Sequence, residues 1–356
     1  MAYVLGFDQV DKSSLPIVGG KNASLGEMLK SGIRVPPGFA ITTESYLELI
    51  TSARIADEIQ NILSHVNPDS VPSLDHSSEQ IQMLIMQAEM PVAIRRSIAT
   101  SYENLCAMCR LDDLPVAVRS SATAEDLPNA SCAGQQDTYL WVRGLDEVIK
   151  MTQKCWASLF TARAIDYRIK MNFPHDKVLI SVGVQKMVNS RTSGVMFTLN
   201  PLNGDPSRVV VEGSWGFGEA VVSGAVTPDK FVVDKVCFEI NERVISAKTI
   251  ECIFQPGKGV VHVDVDAARQ TLPCMNDQEL IELVQIAKRI EDHYGRPMDI
   301  EWAIDHDLAF PDNVFIVQSR PETVWSQKPK ASVLGNKSGF ELLMEKALSQ
   351  IKVSNS

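Results

Sequence analysis

Midway along the chain the spacing of the apolar residues changes, and that change constrains the fold more than any other feature. In the first half, apolar positions recur at helical intervals. Ile94, Ile98, Tyr102 and Leu105 line one stripe, and Val148, Met151, Cys155, Trp156, Leu159 and Phe160 line another. The pattern predicts helix over 43–110, with Pro91 at the start of one helix and a polar, turn-rich interruption over 68–78. It predicts a further helix over 146–170. Beyond that, short β-branched or apolar runs appear at 178–184, 194–199, 209–211, 230–234 and 260–265, set between Gly, Pro and Asp. Asn276 with Glu279 forms a capping box that starts a helix through Ile290, which stops near Gly295 and Pro297. Strands over 298–304 and 314–318 follow. Helices gathered early and strands late indicate an α+β fold.

Composition bounds the functions. The 356 residues allow two domains at about 150 residues each. With 45% hydrophobic and 22% charged residues, disorder and a disulfide-stapled miniature scaffold are excluded. Acidic residues number 44 against 34 basic, a formal net charge of −10, so an anionic ligand must be met by a local basic pocket. No apolar run approaches the ~20 residues of a membrane span. The first residues lack the basic and apolar regions of a signal peptide. The 7 cysteines are odd in number and scattered, which agrees with a cytoplasmic protein. Cys106 and Cys109 form a C-x-x-C at the end of a helical pattern, with no second pair, and packing is the preferred reading over zinc or redox chemistry.

Four segments place polar groups where a purely structural stretch would not. Gly19-Gly20-Lys21 opens a helix that Gly32 closes, and an ammonium at a helix start is unfavourable unless an anion lies beside it. The alternative is a solvated surface lysine. In Val116-Ala117-Val118-Arg119-Ser120-Ser121, an arginine ends an apolar strand among small hydroxyl residues, which suits phosphate. The glycine loop Gly134-Gln135-Gln136-Asp137-Thr138 follows; it is a phosphate cover or a plain hairpin turn. Glu212-Gly213-Ser214-Trp215-Gly216-Phe217-Gly218-Glu219 interleaves glycines with aromatics, without the dinucleotide fingerprint. Finally, Asp299, Glu301 and Ala303 alternate onto one face of one strand, and Gln318 and Arg320 share a face of the next. A carboxylate and an amide oxygen on adjacent strands are hard donors suited to Mg²⁺, with substrate phosphates completing the shell. A salt bridge on an edge strand is the rival reading.

Taken in order, G-G-K-N-A-S-L-G-E-M, V-P-P-G-F-A-I-T, V-A-V-R-S-S-A-T-A-E-D-L-P, A-G-Q-Q-D-T-Y, C-W-A-S-L-F, G-S-W-G-F-G-E-A-V-V-S-G and I-E-W-A-I…V-Q-S-R-P resemble the ATP-binding N-terminal part of the phosphoenolpyruvate synthase and pyruvate phosphate dikinase family, from about residue 3 to 325. The resemblance implies an ATP-grasp fold with MgATP between two lobes, 1–185 and 186–325, followed by a linker and an amphipathic helix in 326–356. It implies that Lys21, Arg119 and Arg320 hold the triphosphate, that Glu301 and Gln318 bind Mg²⁺, and that the loop from Gly134 through Gln135, Gln136 and Asp137 to Thr138 covers the phosphates. Gln185, Lys186, Met187 and Val188 would border the adenine, with Glu219 near the ribose. Cys132 departs from the pattern, where an aromatic is expected.

None of the 6 histidines stands in the T-G-G-x-x-x-H-like setting of the family's phosphorylated histidine. The expectation is therefore a β-phosphoryl transfer to a histidine on a separate partner subunit, as in phenylphosphate synthase. Phenol is the expected acceptor, with pyruvate and then a rifamycin-type drug as alternatives. A non-catalytic ATP-sensing module is the reading from another class. The C-terminal helix stripe (Phe340, Leu343, Met344, Ala347, Leu348, Ile351) is expected either to dock that subunit or to pack on this chain.

Overall fold

The computed structural model describes residues 2–123, 126–127, 130–131 and 137–325. Gly134, Gln135, Gln136, Cys132 and the tail over 326–356 lie outside these residues. Met1–Glu322 packs as one compact unit, and Thr323–Ser356 is a second.

The first half runs β1 (Val4–Gly6), α1 (Leu15–Lys30), β2 (Gly38–Ile41), α2 (Thr43–Ser52), α3 (Ala56–Ser64), α4 (Val71–Gln87), α5 (Val92–Cys109) and β3 (Val116–Ala122). Two short strands, β4 (Asp126–Leu127) and β5 (Ala130–Ser131), pair with each other. Then come β6 (Thr138–Val142), α6 (Leu145–Ala157), α7 (Ala162–Lys170) and β7 (Ile180–Lys186). Five of these strands form an antiparallel sheet in the order β1-β2-β7-β3-β6. The expected interruption over 68–78 is shorter than predicted. Ser70 caps α4 by accepting a hydrogen bond from the Ser73 amide, and Pro72 takes the first turn, where its missing N–H costs nothing. The helix expected over 146–170 breaks in two, because the Thr161 hydroxyl caps a new start by accepting from the Ala164 amide.

The second half holds β8 (Ser190–Phe197), β9 (Arg208–Trp215), α8 (Glu219–Val222), β10 (Asp229–Asp234), β11 (Ile240–Val244), β12 (Ile250–Gln255), β13 (Gly259–Asp264), α9 (Ala267–Gln270), α10 (Asp277–Tyr294), β14 (Met298–Asp305) and β15 (Val314–Pro321). A six-stranded sheet runs β11-β10-β9-β8-β14-β15, and β12 with β13 forms a separate hairpin. Asn276 caps α10 with the predicted box: its side chain accepts from Glu279 N at 2.9 Å, and Glu279 returns the bond at 3.1 Å. Polar β11 and half-buried β12 were not anticipated, since neither carries a clean apolar run.

Strand alternation divides the side chains between core and site. In β3, Val116 and Val118 enter a core with Ile41, Trp156 and the helices α2–α6, which leaves Ala117 and Arg119 on the opposite face. In β7, Val182 and Val184 join the same core, so Gln185 faces away from it. In β14, Ile300, Trp302 and Ile304 enter a second core with α1 and α10, so Asp299 and Glu301 face out. A third, small cluster joins Ala117 of the five-stranded sheet and Met187 to Phe217 and Ala220, which follow β9, and to Cys252 of the β12–β13 hairpin.

Candidate functional site

The lysine segment owes its position to Gly19. This residue has φ 71° and ψ 170°, a region only glycine occupies freely, and it divides α1 into two helical stretches. A Cβ here would lie 2.1 Å from the Ser121 carbonyl oxygen, so β3 approaches as closely as it does only because the residue is glycine. The contact is locked by hydrogen bonds. Ser121 Oγ donates to Val18 O at 2.9 Å, and Asn22 Nδ2 donates to Val18 O and to Ser181 Oγ. Lys21, in the first turn of the second stretch, donates from Nζ to Ser120 O at 3.2 Å. The predicted glycine turn feeding a lysine-bearing helix is therefore present, one turn inside a longer element. Gly32, at φ 76°, follows the helix end as expected.

Arg119 leaves β3 and reaches the other sheet. Its Nη1 donates to Val317 O at 3.0 Å, while Nη2 donates to Glu301 Oε2 at 3.0 Å and to Gln318 Oε1 at 2.5 Å. A bulge in β15 makes this possible. Glu301 pairs with Gln318, but Trp302 pairs with Ile316, so Val317 is an extra residue. Without it Gln318 would fall on the core face; with it Gln318 and Arg320 share the face of Glu301 and Asp299.

A cleft of about 320 Å³ opens beside this cluster. Arg119, Thr138 and Glu301 belong to its polar lining, and Ala117, Leu140, Met187, Val188 and Phe217 to its apolar walls. Gln185, Lys186 and Glu219 also line it. Gln185 is buried, and its amide points toward Pro36 O at 3.4 Å. A small recess next to it gathers Lys21, Arg119, Gln185 and Gln318. Among the predicted phosphate and metal residues, Lys21, Arg119, Glu301 and Gln318 thus come together. Arg320 does not line the cleft: it is half exposed at the end of β15, with Nε 3.4 Å from Asp299 Oδ2. Of the phosphate loop, Asp137 and Thr138 are described. The Asp137 carbonyl accepts from Ser120 N and Oγ, and its carboxylate accepts from Tyr139 Oη at 2.7 Å. Burial and that carboxylate push the Tyr139 phenol up.

Two features were not anticipated, one beside the cleft and one in its wall. Burial pushes the Asp299 carboxyl up to about 6, with Arg320 acting in the opposite sense, and its Oδ1 is buried without a hydrogen-bond partner. Its place in the D-I-E alternation was the available signal. Phe217 belongs to the glycine–aromatic segment, yet its place in the cleft wall depends on Gly216, which bridges to Cys252 of β12. Among the described residues, no three His, Cys, Asp or Glu side chains gather as a ready metal cluster. No helix among them is long and apolar enough to cross a membrane.

A cleft with apolar walls, lined by Arg119 and Glu301 and adjoining a recess that holds Lys21 and Gln318, fits a nucleotide whose phosphates lie among those polar groups. The comparisons agree. The sequence profile of the family described as "Pyruvate phosphate dikinase, AMP/ATP-binding domain" matches residues 15–338, and the chain belongs to this family. Its relatives include the probable phosphoenolpyruvate synthase of Staphylothermus marinus, 47% identical over 92% of this chain and 42% of that protein. The phosphoenolpyruvate synthase of Aeropyrum pernix is 43% identical over 91% of the chain and 43% of its own length; that of Pyrococcus furiosus is 42% identical over 93% and 45%. The chain therefore spans less than half the length of these relatives.

Proposed function

We propose that this chain binds MgATP in an ATP-grasp manner, with the two sheets as the walls of the nucleotide site. It would act as the phosphoryl-donating part of a phosphoenolpyruvate synthase-type dikinase. The observation that carries this reading is the convergence of Glu301 and Gln318 oxygens on a single cationic nitrogen in the polar lining of the cleft. One carboxylate and one amide are too few donors for a closed protein site, but they suit Mg²⁺, which takes its remaining ligands from water and phosphate. When bound, that ion would neutralise charge on the transferred phosphoryl group.

The chain's own groups do the rest. Lys21 and Arg119 would neutralise the phosphates and hold them in line, and losing one such donor commonly costs about 3 kcal/mol in the barrier. Ala117, Leu140, Met187 and Phe217 would sandwich the base and keep water from it. Glu219, at the cleft wall beside Cys252 Sγ at 3.9 Å, is assigned to the ribose. Arg320 would join the phosphates only by leaving Asp299.

None of the histidines lines the cleft, so the phosphoryl acceptor is assigned to a histidine outside the described residues, carried on a swivelling domain or a partner subunit. The names of the relatives support pyruvate rather than phenol as the final acceptor, which reverses the order expected from sequence. The test is β-³²P-labelled ATP supplied with pyruvate or phenol to the protein and its native complex. Label in phosphoenolpyruvate supports the reading; label in phenylphosphate would restore phenol. Stable label on His65, His76, His175, His262, His293 or His306 would refute the external acceptor.

A further inference from the structure

Glu301 and Gln318 already face a cation. Arg119 Nη2 lies 3.0 Å from one oxygen and 2.5 Å from the other, so it sits in the position that a divalent ion bound to both oxygens would take. Two cations cannot share that position, because Mg²⁺ needs oxygens at about 2.1 Å and nothing positive in between. The pair is also well shielded, with the Arg119 side chain only 15% exposed, so its attraction is not lost to solvent as at an open surface. One donor is left idle among the described residues: Arg119 Nε is buried with no hydrogen-bond partner there. A fork with both Nη atoms engaged and Nε unused has one more anion contact to offer.

We propose that Arg119 is the counter-cation of the metal-free site, and that the site therefore admits a divalent ion only together with a nucleoside triphosphate. The triphosphate draws the guanidinium from Glu301 and Gln318 onto its own oxygens, and the same two protein oxygens are thereby released to the metal. A bare divalent ion would have to displace Arg119 while adding positive charge beside Lys21. The metal–nucleotide complex is itself an anion and meets no such penalty. This inference rests on the reading of the site in the preceding subsection.

The experiment uses the whole protein and Mn²⁺, followed through the electron paramagnetic resonance of the free ion, first alone and then with a non-hydrolysable ATP analogue. Wild type should bind Mn²⁺ weakly alone and tightly with the analogue. Arg119→Ala and Arg119→Gln should bind Mn²⁺ alone about tenfold or more tightly than wild type, since a charge-assisted competitor is gone. Arg119→Lys should keep the exclusion. Adding Glu301→Gln to Arg119→Ala should abolish the gain. If wild type takes up Mn²⁺ with the analogue while neither neutral variant gains affinity for Mn²⁺ alone, the exclusion is refuted and the site assignment stands. If no form binds Mn²⁺ even with the analogue, the metal assignment falls, and this inference with it. Because two neutral replacements and a charged one are compared, misfolding of one variant leaves the test decisive.

Discussion

Gly19→Ala should unseat the lysine helix from β3, and its cost can be worked from two separate terms. The first is backbone strain. Gly19 holds φ 71° and ψ 170°, and an L-residue forced there costs about 1–3 kcal/mol. The second is steric. The new Cβ would lie 2.1 Å from Ser121 O and 2.4 Å from Ser121 Oγ, and the carbonyl is fixed backbone in β3. Restoring an ordinary contact requires about an ångström of movement, which in a packed interior costs another ~1–3 kcal/mol. The sum is about 4 kcal/mol, from strain and overpacking together. Gly32→Ala supplies the control: φ is 76° there too, but a Cβ would meet nothing within 4 Å, so only ~1–2 kcal/mol of left-handed strain applies. Urea unfolding read by circular dichroism gives both stabilities, and calorimetry with ATP gives the affinities. Gly19→Ala should also weaken ATP binding, because Ser120 O anchors Lys21 and Arg119 is two residues from Ser121. Gly32→Ala should leave binding unchanged. If the two variants cost the same and bind ATP alike, the close approach of α1 to β3 does not hold the site.

Lys248→Met should cost about 3–5 kcal/mol in urea unfolding, since it strands Asp229 among backbone donors at a site where both side chains are fully buried and 2.6 Å apart. Combining it with Asp229→Asn should recover part of that loss; an additive loss would deny the coupling. Thiol chemistry should follow burial. At pH 8 iodoacetamide should alkylate exposed Cys237 in the native protein. It should spare Cys252 and Cys274, whose thiols burial pushes up to about 12, until urea unfolds the chain. Rapid native labelling of Cys274, followed by mass spectrometry of its peptide, would contradict the packing of β9 against the segment before α10.

The sequence identified elements wherever local burial leaves a period. The stripe Ile94, Ile98, Tyr102 and Leu105 became the buried face of α5, and the box at Asn276 and Glu279 became the start of α10. It fell short where capping side chains outvoted periodicity, at Ser70 and Thr161, and where strands are polar or half exposed, at β11 and β12. The candidate site residues were similarly legible one segment at a time. Lys21, Arg119, Glu301 and Gln318 stood out because each places a charge or an amide beside a glycine turn or within an apolar strand.

Their meeting was legible only through the family resemblance, not from the residues themselves. Arg119 touches Glu301 and Gln318 across 182 and 199 residues of chain, and no local period reports a distance between two sheets. Nor does alternation alone put Gln318 opposite Glu301. The bulge at Val317 does, by moving the last residues of β15 onto the other face. By itself the sequence determined which residues carry charge, which strands and helices bury their apolar faces, and the family to which they belong. The tertiary structure alone decided that Arg119 bridges Glu301 and Gln318 and that Arg320 lies outside the cleft with Asp299. Register, bulges and inter-sheet spacing are set by non-local packing, where a one-residue shift exchanges core for site.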